Sequence, residues 1–181
     1  MTTYALYILV TFLLNNFHDE LHTPFEVFER FFEYFSEFDW SGKIVTIYGP
    51  IPAQSPSSKR NGSNFEALAL EERANDPVLK HKELLVKPNQ LKERQVKYDQ
   101  VRKLLSESSS VLKSSKDWNQ TWSKPIKIAD PCVSHNNLGR SMSLQNYNRF
   151  KEALKLQRKD LKRLKETFLN ESGASSPSRF F

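Results

Sequence analysis

The sequence predicts a mainly α-helical domain carrying short β-strands, and three segments establish that expectation. Residues 5–14 form an apolar run broken by one Thr, residues 24–38 repeat phenylalanine at helical intervals, and residues 147–168 alternate apolar positions three and four apart with Gln157 at the one skipped position. With 181 residues there is room for one domain of ordinary size. The single cysteine, Cys132, allows no intramolecular disulfide and no zinc cluster, which excludes a secreted disulfide scaffold. A net charge of +6 suits a polyanionic partner.

The first helix is the apolar run. It is shorter than the about 20 apolar residues that span a bilayer, and neither Met1-Thr-Thr-Tyr4 nor Asn15-Asn-Phe-His18 supplies the positive start or cleavage site of a secretory signal. The chain is therefore read as intracellular, cytoplasmic or nuclear, with no membrane partner. Apolar on nearly every face, this helix is expected at the centre of the core.

The second helix opens on local signals. Thr23 caps it, Pro24 fits the first helical position and Glu26 completes a capping box. Phe28, Phe31, Phe32, Phe35 and Phe38 share one face, with Glu29, Arg30, Glu33 and Glu37 elsewhere. The stripe reads as core rather than as a base-stacking platform, because the neighbouring acids repel phosphate. Gly42 breaks the helix, and residues 43–48 form a strand before a Gly49-Pro50 turn.

Residues 1–52 thus form a first part of the domain, and residues 53–123 a polar insertion. The stretch 53–64 has linker composition. From Phe65 to Leu112 the chain is helix-prone but polar, with weak periodicity through Leu79, Leu84, Leu85 and Leu91 and interruptions at Pro77 and Pro88. It either docks on the core as charged helices or stays partly disordered. A second linker, 106–115, precedes Trp118 and Trp122.

Residues 124–171 return to the domain. A strand over 125–129 leads into a polar loop, and a helix capped by Ser143 follows. Its seam of Tyr147, Phe150, Leu154, Leu161, Leu164 and Phe168 packs on the domain beneath a solvated face of Lys151, Lys155, Arg158, Lys159, Lys162 and Arg163. Residues 172–181 have the composition of a frayed tail.

The loop from Ile128 to Arg140, IADPCVSHNNLGR, carries the functional signal. Asn and Asp edges can hydrogen-bond a nucleobase, and Gly lets a backbone approach closely. The same residues are also ordinary turn chemistry. Together with Thr3-Tyr4 before the apolar run, and the phenylalanine helix ending in Phe38-Asp39-Trp40 ahead of Ile47-Tyr-Gly-Pro-Ile51, this loop resembles the PAP-associated domain of template-independent RNA nucleotidyltransferases. These are the poly(A) and terminal uridylyl polymerase class, and the likeness is strongest to its plant-like branch. It covers residues 1–52 and 124–168.

The resemblance implies roles at specific positions. Tyr4 matches the tyrosine that stacks on the incoming base, and Thr3 the hydroxyl residue near the triphosphate. Asp130 and Asn136 match loop positions facing the base edge, while Gly139 and Arg140 structure the loop. Uridylyl-preferring relatives often carry His where Asn136 stands; His135 lies one residue earlier, so ATP is favoured over UTP. Val133 stands where some relatives place an acid. A complete member uses Mg²⁺ and ATP and acts on an RNA 3′ end through a catalytic lobe with a Gly-Ser helix start and three metal-binding carboxylates.

That set has no match in this sequence. Gly62-Ser63 is followed by Asn-Phe-Glu-Ala, and the triphosphate lysines have no counterpart. The expectation is the nucleotide-recognition half of an RNA 3′-nucleotidyltransferase, a fragment or degenerate homologue inactive alone, with no catalytic or metal-binding residues of its own. A non-enzymatic helical interaction or RNA-binding module is the alternative.

Overall fold

Helix α1 (Thr3–Phe17) begins where the Thr2 hydroxyl accepts the Ala5 amide at 3.2 Å. The computed structural model describes residues 1–53, 65–86, 122–133 and 136–174. Among these, α1 supplies the centre of the core through Ala5, Leu9, Phe12, Leu13 and Phe17. Its expected burial on nearly every face is corrected, however: Tyr4, Leu6, Tyr7 and Leu14 lie exposed along one side, Tyr7 at 63%. The helix contains no charged residue, so hydropathy alone could not separate the buried face from the open one.

Helix α2 (Pro24–Glu37) has both halves of its capping box, with Glu26 reaching back to the Thr23 amide at 2.8 Å. Phe35 is fully buried and sits 5.7 Å from the Phe12 ring, and Phe31, Phe32 and Phe38 pack around the same core. Phe28, the first member of the stripe, is half exposed and meets Phe32 edge-on. The helix ends at Glu37, before Gly42. Phe38 turns extended, and one oxygen of Asp39 gathers the Ser41 hydroxyl (2.7 Å) and the Gly42 amide (2.9 Å). Those bonds, the Ser41 hydroxyl foremost, hold the Asp39 carboxyl below its ordinary range.

Strand β1 (Lys43–Thr46) stops two residues short of the expected end. The Gly-Pro pair expected as a turn instead opens strand β2 (Gly49–Pro52), antiparallel to β1 with Thr46 opposite Gly49. Prolines 50 and 52 are tolerated because the hairpin leaves β2 at the sheet edge. The hairpin tip is tied to α1: Asn15 and Asn16, both buried, donate to the Ile47 carbonyl at 2.9 and 3.2 Å.

Helix α3 (Phe65–Asn75) packs against β2 and buries Phe65, Leu68 and Ala69. Part of the polar middle thus docks on the core, through these three residues and Leu79, while Leu70, Val78 and Leu85 stay exposed. Arg73, 6% exposed, donates to Asn16 Oδ1 and to the Lys82 carbonyl, and burial lowers its guanidinium pKa.

The strand expected over 125–129 is reduced to single bridges. Val45 donates to Lys127 and accepts from Ala129, each at 2.9 Å, which lays residues 127–129 parallel to β1 for one pair only. Helix α4 (Leu144–Ala174) starts with Ser143 accepting the Asn146 amide at 3.2 Å. It runs antiparallel to α2, as the ion pairs Arg158–Glu37 and Lys165–Glu29 require. Leu154 and Leu161 are buried and Phe150 meets Trp40, but Leu164 and Phe168 are more than half exposed, which shortens the expected buried seam.

The expectations for 54–64, for Pro88, Leu91 and Trp118, for the linker at 106–115, for His135 and for 175–181 lie outside the described residues; the tail expected from 172 is corrected over its first three residues, because α4 continues to Ala174. No helix among the described residues is long and apolar enough to cross a membrane.

Candidate functional site

The loop stands on a stalk that lies beside β1 and leads into α4. Ala129 pairs with Asn137, Leu138 donates to the Ile128 carbonyl at 2.9 Å and Asp130 to the Asn136 carbonyl at 3.1 Å. Asn137 is the clamp. Its side chain is wholly buried; Oδ1 accepts the Ile128 (3.0 Å) and Gly139 (2.8 Å) amides while Nδ2 donates to the Ile126 carbonyl (3.1 Å). Sequence reasoning took its neighbour for the site and passed over Asn137, although an Asn two residues before Gly was a signal for this turn.

Gly139 fits because it has no side chain. A Cβ there would stand 2.4 Å from the Ile126 carbonyl oxygen and 2.9 Å from its carbon, both fixed backbone. Gly139→Ala is expected to cost about 1–3 kcal/mol in urea unfolding and to move the Ile128 and Leu138 amide resonances; an unshifted spectrum would refute the close approach.

The base of the stalk is anchored by Lys127. Its ammonium, largely buried, donates to the Ser41 carbonyl at 2.8 Å, and burial lowers its pKa against the opposing charge of Asp39. The turn after α2 and the loop thus share one cation.

At the top of the stalk the loop meets the first turn of α1. The Tyr4 hydroxyl donates to Asp130 Oδ1 at 3.2 Å across 126 residues of sequence. The same oxygen accepts the Cys132 amide at 2.9 Å, and Oδ2 accepts Asn136 Nδ2 at 2.8 Å. Asn136 Oδ1 in turn receives the Arg140 guanidinium. Burial, then the Asp130 carboxylate, raise the Tyr4 phenol above its ordinary pKa, so the hydroxyl stays protonated as a donor.

Four of the six expected residues, Tyr4, Asp130, Asn136 and Arg140, therefore form one connected polar chain, with Gly139 in the stalk below. Thr3 is the first residue of α1 and is exposed; the hydroxyl that closes the helix start belongs to Thr2. Val133 contributes its carbonyl, which accepts the Asn136 amide at 2.9 Å. Cys132 is a free, exposed thiol.

Chemically, the arrangement offers a partly exposed aromatic ring, tethered at its hydroxyl, beside amide and guanidinium donors. A ring so placed can stack on a planar ligand whose polar edge meets the donors. Among the described residues, no group of three or more His, Cys, Asp or Glu side chains is placed to hold a metal ion. A separate hollow lined by Lys43, Pro50, Glu72 and Asp76 includes none of the loop residues.

A family model described as the PAP/OAS1 substrate-binding domain matches residues 1–181. No curated protein and no solved structure matches the chain.

Proposed function

The chain belongs to the PAP/OAS1 substrate-binding domain family, and from that premise we propose that it is the nucleotide-recognition half of an RNA 3′-nucleotidyltransferase, with ATP favoured over UTP. Its role is that of a nucleotidyltransferase-like substrate-binding domain. The observation that carries the finer reading is the bond between Tyr4 and Asp130, which joins the start of α1 to the loop as one site.

In this reading the base stacks on Tyr4, and the amide of Asn136 meets its edge. Stacking supplies affinity for any base, and the edge contact supplies the preference. Thr3, one residue from Tyr4, faces the sugar and phosphates. Among the described residues no group of carboxylates is placed to hold a metal pair; in this reading Mg²⁺ belongs with the catalytic lobe of a complete enzyme. RNA and a nucleoside triphosphate are the partners, and the chain by itself is a fragment or a degenerate homologue.

The test is nucleotide binding to the full chain, followed by amide and ligand NMR, with an RNA-extension control. ATP should bind weakly and more tightly than UTP, Tyr4→Ala should cost about 1–3 kcal/mol of binding, and Asn136→His should move preference toward UTP. No primer extension is expected with Mg²⁺. Binding that ignores both Tyr4 and Asn136 would overturn this site.

One observation favours the second reading, a non-enzymatic interaction module. The uncharged α1 exposes Leu6, Tyr7 and Leu14 in a row, a surface suited to another apolar face. Chain that captures no nucleotide yet binds a protein through Tyr7 would support the module.

A further inference from the structure

Asp130 has little left to offer a ligand. Its carboxylate is 7% exposed and already accepts from the Tyr4 hydroxyl, the Cys132 amide and the Asn136 carboxamide. An ionised carboxylate has about four acceptor sites, so these contacts occupy most of it. Tyr4 is 41% exposed and Arg140 is exposed, and the partly exposed Asn136 carries a second amide proton beyond the one given to Asp130.

We propose that Asp130 is a positioning residue which fixes the Tyr4 ring and the Asn136 carboxamide and does not itself touch the base. This deepens the nucleotide-recognition reading and rests on it. Tyr4 stands in the first turn of an exposed helix end, where its ring would otherwise sample several rotamers. Tethering the hydroxyl removes that freedom before a ligand arrives, so less is lost on stacking.

The carboxamide gains differently. An asparagine amide can turn over and exchange its donor for its acceptor. Asp130 only accepts and Arg140 only donates, and they stand on opposite atoms of Asn136, so one orientation satisfies both. The outward edge then presents its donor in a constant place. Asp130 governs recognition through two neighbours, and its substitution acts only while those neighbours are present.

Two measurements on the full chain test this. In the first, a ¹³C-labelled Tyr4 ring is titrated with base while circular dichroism verifies the fold. Asp130→Asn keeps an acceptor for the hydroxyl but removes the charge, and should lower the Tyr4 midpoint, burial and the neighbouring Cys132 being unchanged. An unchanged midpoint would overturn the tether.

The second measures ATP and UTP binding in two backgrounds. Asp130→Ala should weaken ATP roughly tenfold in the wild-type chain, the scale of one charge-assisted hydrogen bond. In a Tyr4→Phe, Asn136→Ala background the same change should cost less than about twofold, because coupled sites are non-additive. An equal loss in both backgrounds would mean that Asp130 reads the base directly, and the proposal would fall. If the wild-type chain binds neither nucleotide, the recognition reading fails; the tether is then decided by the tyrosine titration.

Discussion

Trp40→Ala is expected to destabilise the domain by about 3–5 kcal/mol, the usual range for emptying a buried tryptophan site. Trp40 is 1% exposed, with its ring 5.4 Å from Phe35, 4.9 Å from Phe38 and 5.7 Å from Phe150. Its indole N–H donates to the Phe35 carbonyl at 3.1 Å, one of the carbonyls left without a partner at the end of α2. The side chain therefore closes α2 and holds α4 against it. Since a domain has only about 5–15 kcal/mol in total, the alanine variant should unfold at markedly lower urea. Trp40→Phe should recover most of the packing and not the hydrogen bond. A loss below about 1 kcal/mol for the alanine variant would mean that α4 does not rest on this ring.

Asn137→Ala is expected to cost on the order of 3 kcal/mol or more, because it orphans several buried backbone groups at once. The amides of Ile128 and Gly139 and the carbonyl of Ile126 all lose their partner in a site closed to water. Asn137→Asp separates the parts: its oxygen still accepts both amides, but a second oxygen then faces the Ile126 carbonyl. The aspartate variant should be destabilised as well, and more at neutral than at acid pH, where a protonated carboxyl could donate. Equilibrium unfolding at two pH values measures this. Alanine and wild type melting alike would show that the loop stalk does not depend on the clamp.

The parts of this fold legible in the sequence are those whose causes are local. The Thr23 to Glu26 capping box and the Phe31, Phe35 and Phe38 side of α2 need only a few neighbouring residues, and both were readable. Strand β2 was not, since Gly-Pro-Ile-Pro lacks strand propensity and pairs only because Lys43–Thr46 lies beside it. The same holds for the bridge at Val45 and for Arg73, whose partners lie 57 residues away on α1 or at the Lys82 carbonyl. Helix α1 carries no charged residue by which its exposed side could be told. Residue types at the candidate site followed from the likeness of Tyr4 and the loop to a known family. Which atom bonds which did not, because the Tyr4 to Asp130 contact joins residues 126 apart in sequence.

The stalk of the recognition loop has a consequence for how such a domain can change over generations. Its hydrogen bonds are made by backbone atoms of residues 126–130 and 136–139 and by one asparagine. The clamp's bonds run from the Asn137 side chain to backbone atoms of Ile126, Ile128 and Gly139, so a side-chain change at Asn136 leaves them in place. Ligand preference can therefore change through the Asn136 side chain, while selection on the folding of the stalk bears on Asn137 and Gly139 beside it.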